Sequence, residues 1–545
     1  MDEYIGVYAR SNREMMVLKV FQHRILLACA TLSAVSLILF QGEVPAVRAE
    51  EPTCDWSSCG DTDRDPNLKE FIYDVGDGPQ KTMVYVEPDI NSFYRNDNKK
   101  YKKVKPAFNG LAGKFINMSN KPLDFYWESY AGGTAHMMRH YIPFSTGGTG
   151  TFPSHRFFLA DPSAPTVKLH LWIVEQYPEN LYVYDPYKVE GDPEQTEKNL
   201  QKHLSVKERA QYDKWKKTLL YNEQYKAFTG RSYLANYGDD GPRAPSNHHM
   251  WRADYFGQEH WVTTKETHFV SLPPNRQLGP VRSVGSQRIL KDSDPRIFQE
   301  YREKDEVTGE PLQYMNMTLK ALSCAPRVFE IKNFMSQEEV NHILHLAGGI
   351  DLAESTTGDV GSNARGSNSA RVERKTKVRT SRNSWVERER SPIIDAIYRR
   401  AADLARIDEA LLRRRSSDEM PEFKSKNSIS ETLQLVHYDK TQEYTAHHDF
   451  GYSHIDDNMQ GARFATILFY LNEGMVGGET AFPRWVNGKS FHELKVKPEV
   501  GKAVLFYDQL PDGNLDDFSQ HSAKPIIHGE KWLINLWIWD PNYEK

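Results

Sequence analysis

Tyr444-Thr445-Ala446-His447-His448-Asp449 is the stretch on which the reading of this chain turns. On a strand, residues two apart face the same way, so His447 and Asp449 offer an imidazole and a carboxylate to one cation. A third ligand must come from a neighbouring strand, and His521 is the candidate. Two histidines and one carboxylate on one face of a metal leave the opposite face open. A chelating co-substrate can take two of those positions and dioxygen the third.

A His-x-Asp pair alone is common, and a surface histidine is its ordinary explanation. The company it keeps gives it weight. Lys531 follows His521 along the chain and suits a position further along a barrel wall, its head directed inward. A buried ammonium needs an anionic partner, and a dicarboxylate co-substrate supplies one.

The segments around these residues carry a family resemblance. They are Tyr438 with Tyr444 to Asp449, Arg463 to Leu471, Gly477-Gly478-Glu479-Thr480-Ala481-Phe482-Pro483, Gly501 to Phe506, and His521 through Gly529-Glu530-Lys531-Trp532. In order and spacing, the region from about Pro326 to Pro541 resembles the catalytic domains of prolyl 4-hydroxylases, most closely the membrane-anchored and the plant or algal types. The resemblance implies a double-stranded β-helix, or jelly roll, with flanking helices. It implies that His447, Asp449 and His521 hold Fe(II), and that Lys531 pairs with the distal carboxylate of 2-oxoglutarate. Tyr438 and Thr480 would hydrogen-bond that carboxylate, while Tyr444, Arg463 and Trp537 would line the peptide groove. Aromatic faces suit a proline ring. Arg379-Thr380-Ser381 matches a stretch beside the substrate loop. The implied reaction hydroxylates peptidyl proline at C4, consumes O2 and 2-oxoglutarate, releases succinate and CO2, and uses L-ascorbate to rescue the iron. One departure is Lys524, where the family often has cysteine.

The rest of the chain frames that domain. At 545 residues, two or three compact units are expected. Hydrophobic residues at 39% and aromatics at 12% allow real cores, and a net charge of −5 argues against a nucleic-acid partner. The basic cluster Lys99 to Lys105 reads as a solvated loop. Ile25 to Phe40 is an uncharged, mostly apolar run preceded by Arg10, Arg13, Lys19 and Arg24. As a helix it spans roughly 24 Å, short of a ~30 Å hydrocarbon core. It reads as a signal sequence, with Val47-Arg48-Ala49 as a cleavage site, or as a short signal anchor favoured by the long leader. Either places the remainder in the secretory pathway, as a lumenal domain of a single-pass type II protein in the endoplasmic reticulum if uncleaved. No retention tetrapeptide stands at Asn542 to Lys545. Cys54 and Cys59 suit a local disulfide, Cys324 has no obvious partner, and Asn117-Met-Ser and Asn316-Met-Thr are glycosylation sequons.

The expected fold class is α+β, mainly β. After residues 1–50, residues 51–190 read as a β-sandwich-like domain, with Met83 to Val86, Phe125 to Trp127 and Leu169 to Val174 as strands. Within residues 110–175, Asn117-Met118-Ser119, Trp127 and the stretch Gly148 to Asp161 are similar to the β-domain of the von Hippel–Lindau protein, a reader of hydroxyproline peptides. Residues 191–320 read as a helical and irregular connection, with a capping box at Ser205 and Glu208. His248, His249, His260 and His268 lie there without ligand spacing and read as structural. In the catalytic domain, residues 321–545, Pro326 to Ile331 reads as an edge strand. Ser336 with Glu339 opens a helix through Ala347, 354–370 is a Ser-, Gly- and Asn-rich loop, and Pro392 to Ala405 is a second helix. Two other readings stay open: the same chemistry on a lysyl side chain or small molecule, and a peptide-binding protein with an inactive oxygenase domain.

Overall fold

Alternation along Lys531–Trp539 shows how the catalytic half is built. Ile534, Leu536 and Ile538 face one way, into a core shared with two helices, while Leu533 faces the other way into the barrel interior. Each aliphatic side chain so buried contributes roughly 1.5–3 kcal/mol. Lys531 and Trp537 share the parity of Leu533, so the strand aims both at the interior.

The structure is a computed structural model describing residues 65–88, 107–245, 248–269, 314–355, 378–416, 418–420, 425–450, 462–485 and 493–540. The apolar run, Cys54, Cys59, the Lys99 to Lys105 cluster and most of the 354–370 loop lie outside the described residues. Among the described residues, no helix is long and apolar enough to cross a membrane.

The chain begins with a hairpin, β1 (Leu68–Asp74) and β2 (Pro79–Tyr85). Next come β3 (Leu111–Asn117), β4 (Leu123–Glu128), β5 (Ala135–Tyr141), β6 (Ser145–Thr151), β7 (Arg156–Ala160), β8 (His170–Ile173) and β9 (Leu181–Tyr184). A three-stranded sheet, β6-β3-β9, and a four-stranded sheet, β5-β4-β7-β8, close on one core. Phe115 from one sheet meets Phe125, Phe157 and Trp172 from the other at 4.8, 4.8 and 5.4 Å between ring centres. The β1–β2 hairpin falls within the 51–190 stretch but packs elsewhere: Phe71 and Tyr73 join Tyr221 and Tyr225 of a helix.

That helix is α2 (Val206–Thr229), preceded by α1 (Pro193–His203). Ser205 and Glu208 form the expected capping box, and Gly230 ends α2 in the left-handed region at φ 76°. Two short strands, β10 (Tyr237–Gly238) and β11 (Gly241–Pro242), lead towards the barrel.

The barrel's larger sheet gathers β12 (Glu259–Lys265), β13 (Tyr314–Cys324), β14 (Arg327–Ile331), β15 (Ala353–Glu354), β16 (Arg382–Val386) and β17 (Leu433–Tyr438). Its remaining strands are β19 (Arg463–Tyr470), β23 (Ala503–Tyr507) and β26 (Lys531–Trp539), in the order β12-β13-β14-β23-β19-β26-β17-β16-β15. The smaller sheet is β18 (Tyr444–His447), β24 (His521–Ala523), β21 (Thr480–Phe482) and β22 (Leu494–Val496), paired in that order. A further pair, β20 (Val476–Gly477) with β25 (Ile526–His528), flanks it. Val436, Leu468 and Phe506 of the large sheet meet Phe482 and Val496 of the small one, the two-sheet core of a jelly roll.

The opposite face of the large sheet is covered by α3 (Gln337–Gly348) and α4 (Pro392–Ala405). Both begin as their sequences dictate. Ser336 and Glu339 make a capping box, and Ser391 caps α4 with Pro392 in its first turn. Glu339 also pairs bidentately with Arg400 of α4 at 2.8 and 2.9 Å, both side chains fully buried.

Three expectations are corrected. The strand read at Pro326 to Ile331 is not an edge: β14 pairs with β13 on one side and β23 on the other. β13 alternates buried Met315, Met317, Leu319 and Ala321 with polar residues, so β12 and β13 add Glu259–Lys265 and Tyr314–Cys324, part of the stretch read as a connection, to the barrel sheet. The two sequons have no room for a glycan. Asn117 and Asn316 are buried; Asn117 Nδ2 donates to the Lys121 and Ile142 carbonyls, and Asn316 Oδ1 accepts from Thr263.

Candidate metal and co-substrate site

Strand register assembles the triad. β18 and β24 pair antiparallel with His447 directly opposite His521. Facing residues on adjacent strands hold their Cβ atoms ~5 Å apart, and the two imidazole centres are 4.4 Å apart. Asp449, just beyond the end of β18, completes the set. Its Oδ1 is 3.6 Å from His447 Nε2 and its Oδ2 is 3.5 Å from His521 Nε2. All three ligand atoms lie within 4.8 Å of one another.

The protonation states suit a cation. His447 Nδ1–H donates to the Thr445 carbonyl at 2.8 Å, and His521 Nδ1–H to the Ser519 carbonyl at 3.0 Å. Each bond fixes the tautomer and leaves Nε2 with a free lone pair aimed at the centre. Burial pulls both imidazoles below the ordinary histidine value, with His521 adding to the effect on His447. Burial alone would raise the Asp449 carboxyl, but His521, His447 and Arg463 together with the Trp537 N–H hold it well below the usual range. Neutral imidazoles beside a carboxylate are the donor set that Fe(II) takes in a facial triad.

Asp449 is held from behind. Trp537 Nε1–H donates to its Oδ2 at 2.9 Å, and the Thr466 hydroxyl lies 3.0 Å from the same oxygen. Arg463 donates to the Asp449 carbonyl at 3.2 Å and to Glu431 at 2.7 Å, its guanidinium 3.9 Å from the centre of the Trp537 ring. Trp537 and Arg463, expected to line a peptide groove, are therefore buried against the metal-ligand carboxylate. Thr466 and Asp508 were not singled out from sequence. Thr466 Oγ1 sits 3.0 Å from carboxylate oxygens of both Asp449 and Asp508. Burial and the nearby Asp449 push the Asp508 carboxyl well above its ordinary value. The Thr466 hydroxyl thus bridges the two carboxyl groups.

Further along the barrel, Lys531 is fully buried, and its Nζ has no hydrogen-bond partner among the described residues. It lies 5.5 Å from the ring centres of both Tyr438 and Tyr470. Burial drags this ammonium down to about 7, opposed only by Glu479. Thr480 Oγ1 accepts from the Tyr470 hydroxyl at 2.7 Å, which leaves the threonine's own hydrogen free to donate. The Tyr438 side chain is buried, and burial raises its hydroxyl above the ordinary tyrosine value. Glycine lets the chain pass close by: Gly478 takes a φ of 75°, and a Cβ there would fall 2.5 Å from Ile526 Cδ1 and 3.5 Å from Lys531 Cδ. An orphaned cation among hydroxyl donors fits one carboxylate of a dicarboxylate.

The remaining expected residues are also placed. Tyr444 stacks on His447 with ring centres 3.5 Å apart, and the Arg379 guanidinium lies 4.8 Å from its ring centre. Lys524 pairs with Glu493 at 2.7 Å, away from the metal ligands. His268 meets Asp403 at 2.7 Å, and His260 meets the Arg252 carbonyl at 2.6 Å, both structural roles. Cys324 is buried and unpaired, its thiol pushed up to about 12 by burial.

A jelly roll that brings two histidines and an aspartate together, with a buried lysine unpartnered among the described residues, defines a class: the 2OG-Fe(II) oxygenase superfamily, whose family model matches residues 433–539. The chain is 32% identical over 233 residues to a probable prolyl 4-hydroxylase 3 of Arabidopsis thaliana, covering 40% of this chain and 71% of that one. A probable prolyl 4-hydroxylase 6 of the same plant is 31% identical over 40% of this chain and 70% of its own length. The viral collagen prolyl hydroxylase of Paramecium Bursaria Chlorella virus-1 aligns over 39% of this chain and 95% of its own, at 21% identity and a TM-score of 0.26. The chain belongs to the prolyl 4-hydroxylase family, and Fe(II), 2-oxoglutarate and O2 are the cofactor and co-substrates of its superfamily.

Proposed function

We propose that this protein hydroxylates peptidyl proline at C4, with 2-oxoglutarate as co-substrate. His447, Asp449 and His521 would hold Fe(II). Once bound, the iron and 2-oxoglutarate together supply the O2-derived oxidant for an unactivated C–H bond, with succinate and CO2 released. The chain's own part is binding, orientation and exclusion of water. Lys531 would neutralise the distal carboxylate of 2-oxoglutarate, with Tyr438 and Thr480 donating to it. Trp537, Thr466 and Arg463 would hold Asp449 in place. Tyr444, its ring flat against His447, would offer the aromatic face for a proline ring. The observation that carries the reading is the buried, unpartnered Lys531 beside an intact triad, since an abandoned oxygenase fold has no need to keep a costly orphan cation.

Ascorbate is proposed as the reductant that returns iron to Fe(II) after uncoupled turnover. The basic flank and apolar run ending at Phe40 support a signal anchor or signal sequence and a lumenal catalytic domain. The test is release of succinate coupled to proline oxidation across a panel of proline-rich peptides. Succinate without oxidised proline on any peptide would move the substrate elsewhere.

A further inference from the structure

The segment from Asp508 to Gln520, between β23 and β24, is rich in Asp, Asn and Gln, yet every residue in it is buried. What covers it is the N-terminal half of the chain. Tyr85 N–H and the Tyr225 hydroxyl donate to Asp512 at 2.9 and 2.8 Å, and Leu234 N–H donates to Asn514 at 2.8 Å. The point that bears on chemistry is Asp517. One of its carboxylate oxygens accepts from the Ala112 N–H of β3 at 2.8 Å, and the other from Asn180 Nδ2 at 3.1 Å. Both donors belong to the β-sandwich.

Asp517 is also tied to the stretch of chain that carries two of the triad residues. His448, the residue between two metal ligands, turns its ring the other way. Its Nε2–H donates to the Asp517 carbonyl at 2.9 Å and lies 3.2 Å from the carboxylate. Arg484 reaches the same carboxylate at 2.6 Å and the same carbonyl at 2.7 Å. Fixing His448 fixes the main chain that carries both His447 and Asp449, and Asp517 begins the short run that ends at His521. One buried carboxylate thus holds the residue between His447 and Asp449 and stands at the start of the run that leads to His521.

We infer that the β-sandwich is a positioning element of the metal site, acting through Asn180 and the Ala112 amide on Asp517. The family model matches residues 433–539, so this support comes from a part of the chain outside that match. The inference rests on the proposed triad.

The test uses the full-length chain without iron and reads Co(II) binding by its absorption spectrum, alone and with 2-oxoglutarate. Asp517→Asn is expected to weaken Co(II) roughly tenfold, as loss of an outer-shell partner does, and Asn180→Ala severalfold, with an altered cobalt spectrum in each. The control is Leu159→Ala in the sandwich core, where the side chain is fully buried. It should lower the melting temperature without changing Co(II) affinity. Folded Asp517→Asn and Asn180→Ala that bind Co(II) as the parent does would overturn the inference while leaving the triad intact; if Asp517→Asn does not fold, Asn180→Ala decides alone. Equal loss of affinity in Leu159→Ala would also overturn it, as general destabilisation. A parent that binds no Co(II), or a His447→Ala variant that binds it undiminished, would bring down the triad and the inference with it.

Discussion

Trp537 donates its indole N–H to Asp449 Oδ2 at 2.9 Å, so the carboxylate oxygen turned away from His447 is fixed by a residue on the opposite sheet. Oδ1, on the His447 side, is left for a cation. The metal site is therefore braced across the barrel, with one ligand aligned by β26 and two by the β18–β24 ladder.

Trp537→Phe keeps the ring and removes the donor. It should weaken metal binding about tenfold, with little change in the apo melting temperature because Thr466 still serves Asp449. Cobalt titration with thermal denaturation checks both. Unchanged metal affinity would reduce Trp537 to packing alone.

Lys531 gives a pH dependence with a definite sign. Its value in the fold is about 7, against 10.5 for an ordinary lysine. A bound carboxylate favours the ammonium, so 2-oxoglutarate binding should take up a proton above about pH 7 and weaken as pH rises through that value. For stability, the folded chain binds fewer protons than the unfolded chain between these two values. The residue's cost is thus full below about pH 7 and relieved only as pH rises towards 10.5. Calorimetry in buffers of different ionisation heat reads the proton uptake directly.

Lys531→Met should follow the same logic. Losing a charge-assisted bond weakens 2-oxoglutarate binding by roughly 10- to 100-fold, while removing an orphan buried cation raises the apo melting temperature. A variant that is both less stable and still able to bind 2-oxoglutarate would contradict the assigned role.

Arg400→Leu should destabilise the catalytic half strongly. It takes the guanidinium partner from the buried Glu339 carboxylate between α3 and α4, a loss of about 3–5 kcal/mol. Chemical denaturation measures it, and the double variant Arg400→Leu with Glu339→Gln should recover part of the loss.

Much of this was legible in the sequence, for physical reasons. Local signals held: the Ser205/Glu208 and Ser336/Glu339 boxes open their helices, and Pro392 to Ala405 is helical from end to end. His447, Asp449 and His521 lie together, the two histidines on facing strands, and Lys531 is buried. What escaped depends on distant partners. The alternation of Met315, Met317, Leu319 and Ala321 was readable as a strand, and recognising it would have moved β14 from the edge to the interior. The parity of Lys531, Leu533 and Trp537 likewise pointed Trp537 into the barrel, though nothing local said that Asp449 would be its partner. Asp512, Asn514 and Asp517 were not singled out from sequence because their partners lie hundreds of positions away, as with Asp517 and Ala112.

The measurement closest to the central claim is product mass. Protein supplied with Fe(II), 2-oxoglutarate, ascorbate and proline-rich peptides should release succinate and add one oxygen atom to proline, and His447→Ala should lose both bound metal and product. Oxygenated proline from His447→Ala at the parent's rate would contradict the site assignment, and no oxygenated proline from folded, iron-loaded parent protein on any peptide would contradict the proposed reaction.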